Sequence, residues 1–370
     1  MDYDISTINF REICNSWQKQ NTNLHYLQII SKNGYIACNK YPKMTKAKEI
    51  QKAFLARVKS VLPANVSFVD ELAELLNTSN DSAYRRLRAE TLLSIDEIAL
   101  ICAHFKVPFE TQTQTNSNNV SFNYFKLDGK EENFKHWLVT MRDNVKRISE
   151  IPESTILYAA DDIPIWHHFF DDELTSFKIF YWLKNIVNVE AYNGKKYHAT
   201  LVDRDLIVIA KELLQYYNQC QSTEVWNEDT LNSTIKQVEY FWESGYFENK
   251  EQALKICDCL TACVKNLEVK AETESKEGNG IKNFRLFQSE IMIGNNSIIV
   301  NLNGNKIAYL SNNTFNMMST TSPDFVEENE QWVNNLLRKS IQISAVSEKQ
   351  RNRFFKVMFD KLEQLKSRIQ

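Results

Sequence analysis

The residues best suited to chemistry are three arginines within four positions, Arg85, Arg86 and Arg88. They are the only lysines or arginines between Lys59 and Lys106. A guanidinium group donates paired hydrogen bonds to guanine and also binds phosphate. Just before the arginines lies a polar run that offers further donors and acceptors, with Ser79, Asn80, Asp81 and Tyr84. These residue types indicate nucleic-acid contact, although three arginines on a helix can also serve only to solvate it.

Other clusters favour packing over catalysis or metal binding. His167 and His168 lie near acidic residues, but neighbouring residues on a helix point about 100° apart and cannot share one metal without further ligands. Cys257, Cys259 and Cys263 lack a fourth ligand at zinc-like spacing. The sequence contains no G-x-S-x-G, H-E-x-x-H or P-loop motif. We therefore predict no catalytic residue, no metal and no cofactor, in a protein that is not an enzyme.

Short helices must position the arginines. Helix starts of the type [ST]-x-x-[DE] occur at Ser67, Thr78 and Ser94. Behind each start, apolar residues recur at helical spacing, so each helix has one face to bury. Asn77 lies at the turn between the first two helices, where a left-handed backbone is often needed and asparagine tolerates it. The pattern predicts three short helices joined by tight turns.

This arrangement resembles the Cro/CI-like helix-turn-helix family, also called the xenobiotic-response-element type. The resemblance covers about residues 49–110 and is carried by LAELL (72–76), the turn Asn77-Thr78-Ser79 and LSIDEIALIC (93–102). Family members more often have glycine where this chain has Asn77 and Ala89. The resemblance implies that 80–88 is a recognition helix, with Arg86 at its flank and an N-terminus at Ser79 that offers donors to a phosphate. The side chains implied to face DNA are Asn80, Asp81, Tyr84, Arg85 and Arg88.

Two polar stretches divide the chain. TQTQTNSNN (111–119) has no apolar residue and is a predicted linker, and beyond AETESKEGNG (271–280) the hydrophobic period changes to two. We predict a mainly α fold of α+β type with a small antiparallel β meander. Its parts are a loosely packed N-terminal extension (1–43) with one hairpin over 27–39, a helix-turn-helix domain (44–110), the linker, a larger helical region (120–275), and the meander with C-terminal helices (281–370).

Composition excludes several classes of protein. Glycine (8) and proline (6) are scarce among 370 residues, which disfavours turn-rich all-β folds and glycine-loop nucleotide sites. Basic (44) and acidic (47) residues nearly cancel, so contact with nucleic acid has to be local. The first residues carry acids where a signal peptide is basic, and no window of 18 residues is apolar and uncharged. We expect a cytoplasmic protein without membrane contact.

The last helical pattern carries a stripe that allows three interpretations. Apolar residues recur at alternating steps of three and four, as in a coiled coil, at Phe355, Met358, Leu362, Leu365 and Ile369. From residue 338 onward nine basic residues face three acidic ones. The helix is therefore a candidate for homodimerisation, for phosphate contact, or for packing on the body of the protein.

Together these features predict a sequence-specific DNA-binding transcriptional regulator that acts as a homodimer on double-stranded DNA. The larger C-terminal part is expected to carry dimerisation and signal sensing, for an effector that the sequence does not identify. The alternative is a helical protein-interaction scaffold that keeps a helix-turn-helix fold without reading DNA.

Overall fold

The structure, a computed structural model, describes residues 30–31, 34–35, 47–60, 62, 66–105, 107, 109 and 120–369. Contacts divide the chain into two compact units, Met1–Asn119 and Val120–Gln370. The predicted linker (111–119) lies outside the described residues. So does most of the predicted N-terminal extension, in which strands β1 (Ile30–Ser31) and β2 (Gly34–Tyr35) pair antiparallel.

The described part of the first unit contains four helices. They are α1 (Ala47–Ser60), α2 (Phe68–Leu75), α3 (Asn80–Leu87) and α4 (Ile95–Phe105). Each helix buries the apolar stripe seen in the sequence, and the stripes meet in one core. The buried members include Phe54, Leu55, Val58, Leu72, Ala83 and Ile101.

The second unit contains one mixed sheet of eight strands, in the order β10-β6-β5-β4-β7-β8-β9-β3. Strand β4 is parallel to β5, and β5 is parallel to β6, whereas the other neighbours are antiparallel. The strands are β3 (Asn123–Tyr124), β4 (Thr155–Ala159), β5 (Gln221–Trp226), β6 (Phe284–Gln288), β7 (Ser297–Leu302), β8 (Asn305–Ser311), β9 (Met317–Thr320) and β10 (Ile341–Gln342).

Helices cover both faces of this sheet. One face carries the main core, which most of the helices join, while α10 packs on the other face against residues such as Leu157 and Val225. The helices are α5 (Glu131–Glu150), α6 (Asp172–Asn185), α7 (Arg204–Gln219), α8 (Asn232–Glu243), α9 (Lys250–Thr273), α10 (Pro323–Arg338) and α11 (Glu348–Ile369). A 3₁₀ segment, Ile165–Phe170, precedes α6.

The predicted mainly helical α+β class is confirmed at this coarse level. The region 120–275 is largely helical, but it also supplies β3, β4 and β5. An antiparallel meander is present in β7, β8 and β9, but it is part of one mixed sheet that is shared by 120–275 and 281–370. Strand β5, with the sequence QSTEVW, is buried on both faces and so lacks the alternation that marks a half-exposed strand. The dipeptide Asn303-Gly304, a strong hairpin signal between alternating apolar runs, joins β7 to β8.

The apolar stripe of α11 is buried inside its own chain. Phe355, Met358, Leu362 and Leu365 are fully buried, and α11 lies along α9 and contacts α8. Ion pairs reinforce this packing, among them Lys366 with Asp258 at 3.0 Å. The interpretation of the stripe as a dimer seam is therefore wrong, because its side chains already form the core of the second unit.

A buried polar cluster lies at the centre of the sheet. The Glu224 carboxylate on β5 accepts hydrogen bonds from Trp226 Nε1 (2.9 Å), from the Tyr217 hydroxyl and from His167 Nε2 (3.1 Å). Burial raises the pKa of Glu224, but the hydrogen bonds from His167 and Tyr217 and the nearby Lys276 lower it overall. Burial lowers the pKa of His167, so we assign a neutral imidazole that donates to an ionised carboxylate.

His167 and His168 do not come together on a metal. His167 contacts Glu224, whereas His168 Nε2 lies 3.2 Å from Thr234 Oγ1. Within the described part of the chain, no group of three His, Cys, Asp or Glu side chains is arranged to hold a metal ion. No helix in that part is long and apolar enough to cross a membrane.

Candidate nucleic-acid interface

Local backbone chemistry sets where α3 begins. Asn77 has a left-handed backbone with φ of 48°, as predicted, and the Thr78 amide donates to the Ala73 carbonyl at 2.9 Å. These two features close α2 in a Schellman motif. Ser79, and not Thr78 as the sequence pattern suggested, is the N-cap of α3, and its Oγ accepts from the Ser82 amide at 3.3 Å. The chain therefore passes from α2 to α3 through residues 76–79 alone.

The same type of motif ends α3. Ala89 has φ of 55°, the Glu90 amide donates to the Arg85 carbonyl at 2.8 Å, and the Ala89 amide donates to the Arg86 carbonyl at 2.9 Å. A left-handed backbone costs an L-residue with a Cβ roughly 1–2 kcal/mol. The sequence pattern marked this position by the alanine that stands where the resembling family more often has glycine.

Replacement of Ala89 by glycine is expected to stabilise the first unit by about 0.5–1 kcal/mol, because glycine adopts a left-handed backbone without that strain. Hydrogen exchange of the α3 and α4 amides in the full chain would measure this stabilisation as slower exchange. Ala103→Gly is the matched control, since it lies inside α4 with helical geometry and should destabilise. Faster exchange in Ala89→Gly would contradict the assigned strain.

Gln51 ties α1 to the far end of α3. Its amide Nε2 donates to the Arg86 carbonyl at 2.7 Å and to the Thr91 carbonyl at 2.9 Å, while its Oε1 accepts from the Leu93 amide at 2.8 Å. The side chain is buried. Sequence reasoning missed this residue, although a polar residue in line with Phe54, Leu55 and Val58 on the apolar stripe was a usable signal.

We expect Gln51→Ala to lower the unfolding free energy of the first unit by about 2–3 kcal/mol, because three partly buried hydrogen bonds are lost. Lys52→Ala, at an exposed neighbouring position, is the control and should change the unfolding free energy by less than about 0.5 kcal/mol. Circular dichroism during urea unfolding of the full chain provides the measurement. Equal stability of the two variants would show that Gln51 does not hold α3 in place.

The structure brings six of the seven predicted site residues to one exposed surface. Ser79 and the outward side chains of α3 are exposed, and half of the Tyr84 surface is accessible. Arg85 forms an ion pair with Asp81 (3.1 Å), and Arg88 forms one with Glu90 (2.8 Å). Exposed ion pairs of this kind contribute about 0–1 kcal/mol to stability, so a phosphate or a base can replace the carboxylates at little cost.

Arg86 departs from its predicted place at the edge of the DNA surface. It is largely covered and donates to Glu97 from both Nε (3.0 Å) and Nη2 (2.6 Å). Burial raises the pKa of Glu97, but the bonds from Arg86 and from the Ser94 amide outweigh it and lower the pKa overall. Glu97 also completes the predicted capping box with Ser94. We assign Arg86 a positioning role that fastens α3 to α4.

The charge around α3 is not basic overall. Residues 66–105 contain three arginines and seven acidic residues, and Asp70 accepts a hydrogen bond from Asn80 Nδ2 at 2.8 Å. Exposed lysines lie instead on α1, at Lys48, Lys52 and Lys59. Any attraction to DNA has to come from individual arginines and from α1, and not from a field over the whole surface.

No protein-family model, no curated protein and no solved structure matches this chain. The geometry of α1 to α4 and of the second unit is therefore the basis for a functional assignment.

Proposed function

We propose that this chain is a cytoplasmic, sequence-specific DNA-binding regulator of helix-turn-helix type, in which α3 enters the major groove. The observation that carries the proposal is the outward face of α3. This face presents Tyr84, Arg85 and Arg88 between two left-handed caps, and Gln51 and Arg86 hold the helix from behind. A rigid short helix with exposed arginines is the arrangement that reads base edges.

In this proposal, Arg85 and Arg88 contact DNA by exchanging their ion-pair partners for groups of the DNA. Arg85 and Arg88 leave the carboxylates of Asp81 and Glu90 and donate to guanine acceptors or to phosphates. The N-terminus of α3 at Ser79 offers backbone donors to a phosphate. Asp81 and Glu90 repel phosphates that lie out of register, so they favour one docking position.

Two copies are expected on the DNA, since one such module buries only about 600–1,000 Å² of protein surface. Because the α11 stripe is already buried, the dimer needs another surface. The first unit leaves apolar side chains exposed where α4 begins, at Leu92 on the preceding loop and Ile95 on the first turn. We propose this short apolar strip as the contact between copies, since exposed apolar groups gain most from being covered.

The direct test is selection of genomic fragments by the full chain, followed by sequencing and titration of the enriched site by fluorescence anisotropy. We expect one enriched motif and an affinity that falls steeply as salt rises from about 50 to 200 mM, because phosphate contacts release counterions. Absence of enrichment, with equal affinity for scrambled duplexes, would overturn the proposal.

A protein-docking scaffold is the second candidate, and the acid excess around α3 together with the exposed apolar strip favours it. Ile95→Asp, which alters the strip but not α3, separates the two functions. If the strip joins two copies on DNA, the variant should sediment as a monomer and bind its site more weakly. If the wild type binds no duplex, yet an isolated partner binds it and fails to bind Ile95→Asp, the scaffold is correct.

A further inference from the structure

The second unit encloses a cavity of about 340 Å³ between α5, α6 and one face of the sheet. Its apolar walls include Trp137 and Met141 from α5, Ile156 from β4, and Ile298 and Val300 from β7. This volume lies at the small end of the range of about 300–1,000 Å³ for ligand pockets. Asn123, Tyr124 and Asn144 line the cavity and are exposed, so it reaches the surface there.

Two tryptophans of the cavity lack a hydrogen-bond partner. Trp166 and Trp182 are 5% and 2% exposed, and no acceptor among the described residues reaches either indole N–H. A buried donor without an acceptor costs about 1–3 kcal/mol, and such groups in native proteins call for an explanation. Trp166 is also held rigidly, since it stacks on Tyr217 with ring centroids 4.2 Å apart.

A buried cation lies in the same wall. Lys178 is 3% exposed, and its Nζ donates to Gln237 Oε1 (2.7 Å) and Thr234 Oγ1 (3.2 Å), which also line the cavity. Within the described part of the chain, no carboxylate lies within 4.0 Å of this Nζ. Asp162 also lines the cavity, and its carboxyl supports the charge of Lys178 from beyond that distance, while burial raises the pKa of Asp162.

Lys178 is charged at neutral pH and close to an indole. Burial lowers its pKa to about 8, which still leaves most of the ammonium protonated at pH 7. The Nζ lies 5.3 Å from the centre of the Trp182 ring. An acceptor placed on Lys178 is therefore near Trp182 as well. A buried ammonium with no carboxylate in direct contact is costly, so the site favours a ligand that places one on it.

We propose that this cavity binds a small organic monocarboxylate, with its carboxylate on Lys178 and its aromatic or aliphatic body between the tryptophans. Lys178 is the only lysine or arginine among the described residues that line the cavity. One cation suits one negative charge, whereas phosphate esters need more donors and charge than these walls offer. The proposal does not depend on DNA binding, because the cavity lies wholly in the second unit.

The test uses the full chain and probes matched in shape. Phenylbutyrate, phenylbutanol and phenylbutylamine share a phenyl ring on a four-carbon chain and end in a carboxylate, a hydroxyl and an ammonium group; linear alkanoates and indoleacetate extend the carboxylate set. Calorimetry would measure the affinity of each probe. A change in tryptophan fluorescence on binding would show that the probe lies near the tryptophans of the cavity. We expect at least one carboxylate to bind, at least about tenfold more tightly than its matched alcohol, with no binding of the amine.

Two variants assign the binding to this site. Lys178→Met keeps the length of the side chain and should weaken carboxylate binding about tenfold or more, while leaving alcohol binding unchanged. Lys184→Met, another buried lysine of α6 outside the cavity lining, is the control and should bind like the wild type. Val300→Phe narrows the cavity and should weaken every probe.

Three outcomes would overturn the proposal. The first is that no carboxylate of the set binds the folded wild type at millimolar concentration. The second is that acid and alcohol bind equally, which would leave an apolar cavity without an anion site. The third is that Lys184→Met weakens the carboxylate as much as Lys178→Met does, or that Val300→Phe leaves its affinity unchanged.

Discussion

The double variant Arg85→Ala, Arg88→Ala should lose most of the sequence-specific DNA affinity of the wild type. Each arginine that contacts a base contributes about 1–3 kcal/mol, which corresponds to about a fivefold to 150-fold change in affinity for each. Both side chains are exposed and their acidic partners are exposed too, so the fold should be unaffected. Fluorescence anisotropy on the enriched duplex and on a scrambled duplex would measure specific and nonspecific binding separately.

The matched control is Arg353→Ala, an exposed arginine of α11 far from α3 in sequence. A complementary variant, Asp81→Asn, frees Arg85 from its ion pair and should raise affinity on every duplex, since it removes a negative charge beside the phosphates. If the double variant binds with wild-type affinity, α3 does not read DNA. If Arg353→Ala weakens binding as strongly, the effect is one of overall charge.

Replacement of Glu224 by alanine should lower the unfolding free energy of the second unit by about 3–5 kcal/mol. The change removes the hydrogen-bond acceptor that Trp226, His167 and Tyr217 share, and all three residues are buried. It also leaves a cavity beside them. Glu224→Gln keeps the shape and isolates the effect of the charge, because one amide oxygen cannot accept from three donors. Urea unfolding followed by tryptophan fluorescence reports this unit, which holds six of the seven tryptophans.

The exposed Glu248→Ala serves as the control and should change stability by less than about 0.5 kcal/mol. Stability of Glu224→Ala within that same margin would show that the cluster does not stabilise the fold.

The same cluster predicts the direction of the pH dependence. The folded pKa values of His167 and His168 are lowered by burial, so the unfolded chain binds more protons than the folded chain below about pH 6.5. Glu224 acts in the same direction, since its lowered folded pKa means that its contribution is lost on acidification. The second unit should therefore be less stable at pH 5 than at pH 7. Equal stability at the two pH values would contradict the neutral state assigned to His167.

Features that depend on neighbours in sequence could be predicted. The left-handed backbone at Asn77, the capping box of Ser94 and Glu97, and the turn at Asn303-Gly304 all follow from side chains within a few residues. The apolar stripe from Phe355 to Ile369 predicted a helix, and α11 contains all of it. In each case the same short segment carries both the signal and the interaction.

The candidate interface was predictable only in part. The outward positions on α3 follow from helical periodicity, and six of the seven residues are exposed there. The pairing of Arg86 with Glu97 and the bonds of Gln51 join residues separated by 11 and by 35 to 42 positions, so no local pattern contains them. They decide which arginines remain exposed and which one holds the helix.

In the second unit, the sequence by itself determined which faces must be buried, whereas only the tertiary structure decided what each face meets. The stripe of α11 fits a dimer seam or a domain core equally well, because periodicity specifies an apolar face and not its partner. Strand β5 gave no signal, since a strand covered on both sides has no alternation to read. Lys178, Trp166 and Trp182 line one cavity because helices and strands distant in sequence pack around it, and that proximity is a property of the fold alone.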